Sequence, residues 1–285
     1  MRTTINFRPA GIQDAAQISR LISSSSRLHR HLDWRPPVEW LGSQPFWVAE
    51  ANQRIQAALA IPPDPPTIAW VRLFVCTSAV NPAEIFDQLL VRCLEDPALG
   101  PGSIIPALAL SDWFSLILKH AGFEHSQNIV SLERETLLKL SGELTNPNLY
   151  IRTMEPDDLG QVTKIDNAAF EPIWQNSPVQ IQESYTQSEI ATVAEFDDEI
   201  VGYQFSTINM FAAHLARLAV NPAFQNRQIG SNLLIDLFKR CKAERLWKIS
   251  VNTQDNNHAS LALYQKHGFR LTGEQFPVYL YQPTA

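Results

Sequence analysis

The stretch LAVNPAFQNRQIGSNLL, Leu218 to Leu234, runs from an apolar strand-like segment through a proline turn and a polar loop into an apolar helix. A loop that enters a helix presents backbone N–H groups that no helix carbonyl can accept, at the positive end of the helix dipole. Such a junction can bind phosphate, with donors from about Asn226 to Ser231. Gly230 would allow close backbone approach, and Gln225 and Arg227 could reach phosphate oxygens. An ordinary helix N-terminus is the alternative interpretation.

The segments around this junction alternate between helix and strand patterns. Asp157 or Asp158 caps a predicted helix to about Ala169, and the polar pair Asp197-Asp198 joins two predicted strands as a hairpin. This alternation predicts an α/β fold with a central mixed sheet and helices on both faces. The predicted order continues with the strand HLARLAV, a helix from about Ile229 to Ala243, the strand KISVNT, a helix from about Ala259 to His267, and a final pair of strands ending at FPVYLYQ.

Short echoes occur in the same order in both halves of the chain. In the first echo Arg8 corresponds to Arg152 and Asp14 to Asp158 at one constant offset. Ordered echoes of this kind predict two copies of one domain. The echoes are INFRPAGIQDAAQISRLI at 5–22 with LYIRTMEPDDLGQVTKID at 149–166, VNPA at 80–83 and again at 220–223, and KHAGF at 119–123 with KHGF at 266–269.

These echoes set the expected domain organisation. We expect one domain at residues 1–140, a polar linker at 141–148 and a second domain at 149–285. Because an internal pseudo-dimer reduces the need for a second chain, we expect a monomer or a weak homodimer.

Composition excludes several classes of function. The 285 residues are 45% hydrophobic, which is enough for two cores, and the net charge of −6 gives no basic field for nucleic acid. No apolar run reaches the length of a membrane span, and the N-terminus lacks the apolar core of a signal peptide, so we expect a cytoplasmic protein without membrane contact. Cys76, Cys93 and Cys241 lie scattered in apolar segments, which favours buried reduced thiols over a metal site.

A second motif follows the junction. NHASLALYQKHGF places Asn257 near a helix start and Tyr264 two helical turns later on the same face, where both could contact one extended ligand. Together the two motifs resemble the GNAT family of acyl-CoA-dependent N-acyltransferases, whose phosphate loop follows a V-x-P turn with the pattern Q/R-x-x-G-x-G/A. Gln225 and Gly230 match that pattern, whereas Gln228 replaces its first glycine. Asn257, Tyr264 and the pair Gly268-Phe269 match the late signature of the family.

The resemblance covers about Leu149 to the C-terminus and implies two tandem GNAT-like domains with splayed sheets. Acetyl-CoA would enter between the strands HLARLAV and KISVNT, with its pyrophosphate on the loop. Tyr264 would give a proton or a hydrogen bond to the leaving thiolate. The implied cofactor-binding residues are Leu218, Ala219, Val220, Gln225, Asn226, Arg227, Gln228, Ile229, Gly230, Ser231 and Asn257.

The acceptor amine must lose a proton, because an alkyl ammonium has a pKa of about 10.4. The family often carries an acid near the positions of Ala216 and Arg217, and neither residue can act as a base. His214, on the face of the strand that alternation gives to Ala216, is the predicted base, and Glu171 is the alternative.

The first half lacks these signatures. The segment after its VNPA echo is shorter than its counterpart and contains no glycine, and alignment on the G-F pair places Leu118 opposite Tyr264 and Ser111 opposite Asn257. We interpret this half as a degenerate copy without the phosphate loop.

The predicted function is transfer of an acetyl group from acetyl-CoA to a primary amine, with the active site in the C-terminal domain and without a metal. The alternative is a non-catalytic acyl-CoA sensor or scaffold. The sequence leaves the acceptor open among protein N-termini, lysine side chains, polyamines and other small amines, and the net negative charge mildly favours a cationic one. The SSSSRLHRH run at 23–31 is interpreted as a solvated loop.

Overall fold

The computed structural model describes residues 4–135 and 148–283. Most of the predicted linker therefore lies outside the described residues. The helices are α1 (Ala15–Ser24), α2 (Pro82–Leu94), α3 (Asp112–His120), α4 (Leu159–Ala169), α5 (Pro178–Gln187), α6 (Ile229–Ala243) and α7 (His258–Lys266). The strands are β1 (Asn6–Pro9), β2 (Arg27–Arg30), β3 (Phe46–Ala51), β4 (Arg54–Ala60), β5 (Leu73–Cys76), β6 (Ile105–Leu108), β7 (Glu124–Glu135), β8 (Leu149–Thr153), β9 (Ile190–Phe196), β10 (Glu199–Asn209), β11 (Ala212–Val220), β12 (Lys248–Gln254) and β13 (Arg270–Tyr281).

The chain forms two units whose bounds do not follow chain order. Met1–Gln127 and Phe276–Ala285 form the N-terminal unit, and Asn128–Gln275 forms the C-terminal unit. These bounds differ from the expected 1–140 and 149–285, because the later part of β7 belongs to the C-terminal unit and the later part of β13 to the N-terminal one. β13 is moreover one strand, where the sequence predicted a final pair.

The N-terminal unit contains a five-stranded sheet in the order β1-β3-β4-β5-β2. Val278–Tyr281 of β13 pairs antiparallel with β6 in the same unit. The run SSSSRLHRH is not a solvated loop, because Arg27–Arg30 forms β2 against β5. Within it, His29 is buried and its Nε2 lies 3.0 Å from the Val71 carbonyl oxygen.

In the C-terminal unit a mixed sheet runs β8-β9-β10-β11-β12, with Ile129–Glu135 of β7 antiparallel to β12. β11 and β12 are parallel, whereas β8, β9, β10 and β11 are joined by antiparallel pairing. The hairpin between β9 and β10 turns at Asp197 and Asp198, both with positive φ, as the polar pair predicts.

Helices cover both faces of this sheet. On one face Val162 and Ile165 of α4 and Ile181 of α5 pack on Tyr203 and Phe205 of β10. On the other face α6 and α7 pack on β11 and β12, through a cluster that includes Leu215, Leu234, Phe238, Val251 and Tyr264. The predicted α/β architecture, with a mixed sheet between two helical layers, is confirmed.

The internal repeat is visible as two matching ion-pair triads. Arg8 donates two hydrogen bonds to Asp14, at 2.7 and 2.9 Å, and a third to Glu50 at 3.0 Å. Arg152 makes the same three bonds in the C-terminal unit, to Asp158 at 2.7 and 2.9 Å and to Glu195 at 2.8 Å. In both units the arginine hydrogen bond holds the pKa of the aspartate below its usual range, although burial acts in the opposite direction. The echo therefore marks equivalent positions in two copies of one fold.

The three cysteines are buried free thiols, as predicted. Burial raises the pKa of Cys76 to about 11 and that of Cys241 to about 12. Both side chains therefore stay protonated at neutral pH and act as small apolar core residues.

Candidate acyl-CoA site

The junction at residues 218–234 is a tight turn followed by a helix. β11 ends at Val220, a short 3-10 turn covers Pro222–Phe224, and α6 begins at Ile229. Asn226 and Gln228 both have a φ of 63°, which lets the loop reverse direction before the helix. The side chains from Gln225 to Gln228 are exposed. The predicted strand, turn and helix are all present.

The first backbone N–H groups of α6 lie outside its hydrogen-bond ladder. The helix ladder begins at Asn232, whose N–H donates to the Gln228 carbonyl oxygen at 2.9 Å. The N–H groups of Ile229, Gly230 and Ser231 precede that bond, and no side chain caps the helix at Gln228. An anion at this position would receive these donors and the favourable end of the helix dipole.

Gly230, Gln225 and Arg227 are each constrained by neighbours within the protein. A Cβ on Gly230 would lie 3.2 Å from Leu263 of α7, so the glycine permits close helix packing as well as backbone access. Gln225 donates from Nε2 to the Val220 carbonyl at 3.4 Å. The Arg227 guanidinium lies 5.1 Å from the ring centroid of Phe224 and 5.5 Å from that of Phe196. Since Arg227 is exposed, rotation about its side chain could bring it to a phosphate.

The strands β11 and β12 separate beside this loop. They pair only over Ala212–Leu215 and Lys248–Val251. Beyond Leu215, β11 continues to Val220 with pairing to β10 alone among the described strands. Leu218, Ala219 and Val220 therefore have a free backbone edge on the side of β12, as the predicted splay requires.

Tyr264 belongs to the core cluster that contains the last paired residues of β11 and β12. Its ring packs in the same core cluster as Leu215 and Val251 and lies 5.6 Å from the ring centroid of Phe269. Within the described part of the chain its hydroxyl has no hydrogen-bond partner, and the oxygen is not completely shielded from solvent. A buried tyrosine normally finds a partner for its hydroxyl. Burial raises the pKa of Tyr264, so the hydroxyl keeps its proton at neutral pH.

Asn257 acts as the N-cap of α7. Its Oδ1 accepts from the backbone N–H of Ser260 at 3.1 Å, and its Nδ2 donates to Gln254 at 3.2 Å. Both polar atoms thus have partners inside the protein, and a contact with the CoA arm stays a prediction.

The two predicted bases differ in environment. His214 is half-buried on β11, with Nδ1 3.0 Å from the Ser250 hydroxyl oxygen on β12. Burial lowers its pKa, so the imidazole is neutral at neutral pH. Glu171 is exposed at the start of the Pro172–Trp174 turn.

A buried charge network on the α4 face is the feature that sequence reasoning missed. The carboxylate of Asp166, fully buried, accepts hydrogen bonds from the Tyr203 hydroxyl and from Arg217 Nε, the latter at 2.5 Å. Arg217 also donates from Nη2 to the Trp174 carbonyl at 2.6 Å. One signal was available, because Asp166 follows Val162 and Ile165 on the apolar face of α4.

The contacts within this network determine the protonation of Arg217 and Tyr203. Burial acts to lower the pKa of Arg217, but Tyr203 and Asp166 outweigh it, and the pKa lies above its usual value. Burial and the neighbouring Asp166 raise the pKa of Tyr203. The guanidinium is therefore charged and the phenol neutral at neutral pH.

A β-bulge decides which residues of β11 share a face. Arg217 pairs with Phe205 and Leu215 with Ser206, so that Ala216 is the extra residue. His214 alternates with Leu215, which packs on the α6 side, and therefore points to the α4 side, where Arg217 meets Asp166. Simple alternation predicted a shared face for His214 and Ala216; the bulge puts His214 and Arg217 together instead.

The corresponding junction in the N-terminal unit is closed by its own side chain. α2 begins directly at Pro82, and Asn81 accepts from the N–H groups of Ala83 and Glu84 at 3.0 and 3.5 Å. The first donors of that helix are thus partly occupied by a cap. Ser111 is the N-cap residue of α3, as Asn257 is of α7, but its side chain makes no capping bond, and Leu118 is fully buried.

Substitution of Gln228 tests the conformation of the loop. A non-glycine residue in the left-handed region costs roughly 1 kcal/mol, so we expect the Gln228→Gly variant to be more stable than Gln228→Ala by about that amount. Thermal unfolding of the two variants measures the difference. We also expect Gln228→Gly to bind acetyl-CoA at least as tightly as the wild type, since a glycine exposes the backbone donors. Equal stability of the two variants would contradict a left-handed Gln228.

Comparison with known proteins agrees with this geometry. Residues 159–269 match the family model described as Acetyltransferase (GNAT) family. A GCN5-related N-acetyltransferase from Sphaerobacter thermophilus has a TM-score of 0.62 at 16% identity, over 99% of this chain and 97% of its own. A tandem GNAT protein from the clavulanic acid biosynthesis pathway has a TM-score of 0.65 at 12% identity, over 99% and 100%. A third, GCN5-related N-acetyltransferase from Kribbella flavida, has a TM-score of 0.66 at 12% identity, over 98% and 71%.

At these identities the structural likeness concerns the fold. No curated protein matches the sequence significantly. None of the described helices is long and apolar enough to cross a membrane. Among residues 4–135 and 148–283, no three histidine, cysteine or acidic side chains gather as a metal site.

Proposed function

Because residues 159–269 form a domain of the GNAT acetyltransferase family, in a chain with the fold of tandem GNAT proteins, we propose that the C-terminal unit transfers an acetyl group from acetyl-CoA to a primary amine. The observation that carries this proposal is the Tyr264 hydroxyl, which has no protein partner within the described residues, on a ring that packs in one cluster with Leu215 and Val251, the last pair before β11 and β12 separate. A tyrosine kept only for packing would not need an open hydroxyl at that point.

The acyl donor would be bound by backbone more than by side chains. The N–H groups of Ile229, Gly230 and Ser231 would receive the pyrophosphate, with Gln225, Asn226, Arg227 and Gln228 around it. The free edge of Leu218, Ala219 and Val220 would pair with the amides of the pantetheine arm, and Asn257 at the start of α7 would lie along it.

The chemistry would then need two proton movements. His214, neutral at neutral pH, would accept the proton of the amine through ordered water and leave it free to attack the thioester. As the C–S bond breaks, Tyr264 would donate a hydrogen bond or its proton to the departing thiolate, and solvent would restore the phenol. No metal takes part in this scheme.

The pH dependence tests the role of His214. Since burial lowers its pKa, protonation should reduce kcat/KM only at pH values below its ordinary 6.5. We expect a His214→Gln variant to lose this acid limb and to have a kcat reduced by at least about tenfold. Ser250→Ala, which removes the contact with His214 Nδ1 and a 3.5 Å hydrogen bond to the Ala213 carbonyl but leaves the imidazole in place, should retain the limb. An unchanged pH–rate profile in His214→Gln would exclude His214 as the base.

A non-catalytic acyl-CoA sensor is the second candidate. Two observations favour it: Gln228 occupies a left-handed position beside the helix N-terminus, and Arg217 stands near the place of the expected acid. Thiol release from acetyl-CoA, followed against a panel of amines, separates the two candidates. Turnover with any amine supports the enzyme, whereas binding without turnover across the panel supports the sensor.

The N-terminal unit we interpret as a copy without catalytic activity. Its α2 N-terminus is capped by Asn81, and Leu118 takes the place of Tyr264. We accordingly expect the protein to work as a monomer or weak homodimer in the cytoplasm, with acetyl-CoA and the amine as its ligands.

A further inference from the structure

Arg217 is held in a fixed position on the α4 side of the sheet. Its Nε donates to Asp166 at 2.5 Å and its Nη2 to the Trp174 carbonyl at 2.6 Å. The guanidinium carbon lies 3.9 Å from the ring centroid of Phe170. Because these contacts already restrict the Arg217 side chain, binding of a ligand to it costs little additional side-chain entropy of the protein.

One nitrogen of this guanidinium is available to a ligand. Nη1 is the nitrogen that Asp166, Tyr203 and Trp174 leave without a bond in the described residues. This nitrogen is not completely shielded from solvent, since the Arg217 side chain is 15% exposed. A charged N–H donor fixed at the rim of a site is suited to a carboxylate or another oxyanion.

The acid beside Arg217 cannot bind the ammonium group of a substrate. Asp166 is fully buried, and its Oδ1 accepts from the backbone N–H of Asn176 at 2.8 Å. Its Oδ2 accepts from both Tyr203 and Arg217. The carboxylate is thus fully used inside the protein, and the charged group that reaches solvent from this network is the cation.

The location of Arg217 relates it to the acceptor. It precedes Leu218–Val220, where the proposed function places the acyl donor, and the bulge at Ala216 puts it on the same face as His214. An α-amino acid carries its amine and its carboxylate on one carbon. A carboxylate bound to Nη1 would therefore hold the amine close to Leu218–Val220, the strand edge where the acyl donor is proposed to bind.

We propose that Arg217 recognises a carboxylate of the acceptor, and that the acceptor is an α-amino acid or a similar small amine with an adjacent acidic group. The proposal rests on the proposed function of the C-terminal unit. It reverses the preference for a cationic acceptor that net charge suggested, because the local cation outweighs a distant surface charge. Polyamines would bring a second ammonium group toward the Arg217 guanidinium, and the two like charges would repel each other.

The test compares L-amino acids with their own carboxamides as acceptors, over several side chains. The carboxamide has the less basic amine and offers more free amine at neutral pH, so a preference for the acid reports recognition and not reactivity. With the wild type we expect kcat/KM for the acid to exceed that for the amide by about 30-fold, the value of one charge-assisted hydrogen bond. In Arg217→Gln the ratio should fall to about one or below, because the amide then has the advantage of its free amine, and in Arg217→Lys it should be intermediate.

Acetyl-CoA affinity, measured by calorimetry in each variant, separates the possible failures. Unchanged affinity together with loss of acid preference supports the proposal. A wild type that accepts amides or polyamines as well as amino acids overturns the role of Arg217 and leaves the acetyltransferase intact. Acetyl-CoA binding without turnover on any amine overturns the proposed function, and the acceptor proposal with it. A ratio that stays high in folded Arg217→Gln also overturns it.

Discussion

Replacement of Tyr264 by phenylalanine should lower kcat by about 100-fold or more, the usual contribution of a positioned acid. The ring stays packed against Phe269, and only the hydroxyl that lacks a protein partner within the described residues is removed. Stability and acetyl-CoA affinity should therefore change little. Steady-state kinetics with a saturating amine, together with calorimetric titration of acetyl-CoA, measures both effects.

Tyr150→Phe is a matched control, since this tyrosine is exposed and lies on β8. It should leave kcat unchanged. If Tyr264→Phe retained full activity, another group would protonate the thiolate, and Tyr264 would be a packing residue only.

Replacement of Asp166 by alanine should destabilise the protein by roughly 3–5 kcal/mol, the cost of breaking a buried ion pair by removal of one partner. The variant leaves Arg217 charged and largely buried, and removes the acceptor for the Tyr203 hydroxyl and for the Asn176 N–H. The urea midpoint, followed by tryptophan fluorescence, measures the change.

The half-buried pair of Asp236 and Arg240 on α6 provides the control. It is an i, i+4 contact at 2.7 Å that keeps partial access to solvent, and Asp236→Ala should cost about 1 kcal/mol or less. A cost for Asp166→Ala close to that of Asp236→Ala would show that the network contributes little, and it would weaken the argument that Arg217 is held in place.

Short sequence patterns correctly predicted those elements whose conformation depends on neighbouring residues in the chain. The limits of α6 at Ile229 and Ala243 agree with the sequence prediction, because an apolar period of 3.6 begins at one end and breaks at the other. The hairpin at Asp197-Asp198 follows from residues that tolerate a positive φ. The sequence echo likewise contains the arginine and the aspartate of each ion-pair triad, whereas the glutamates Glu50 and Glu195 lie outside it.

The face of β11 could not be predicted from the sequence. The bulge at Ala216 depends on how β10 and β11 pair, and the composition of HLARLAV is equally compatible with regular alternation. The meeting of Arg217 with Asp166 was missed for the same reason, since it joins residues far apart in sequence through the sheet register.

The unit bounds are a third feature beyond local sequence. Ile129–Glu135 pairs with β12 and Val278–Tyr281 with β6, so each strand end contributes to a unit other than the one its chain position suggests. Apolar alternation predicts a strand in either arrangement, whereas the choice of partner depends on long-range packing.

The central claim is that one acetyl-CoA binds per chain, at the N-terminus of α6. The most direct test is calorimetric titration of acetyl-CoA into the wild type, Gln228→Glu and Asn81→Asp. A carboxylate at position 228 favours the helix dipole but repels the pyrophosphate, so affinity should fall at least about tenfold without loss of stability. Asn81→Asp adds the same charge at the capped N-terminus of α2 and should bind one acetyl-CoA as the wild type does. Two bound molecules per chain, or weaker binding in Asn81→Asp and not in Gln228→Glu, would contradict the claim.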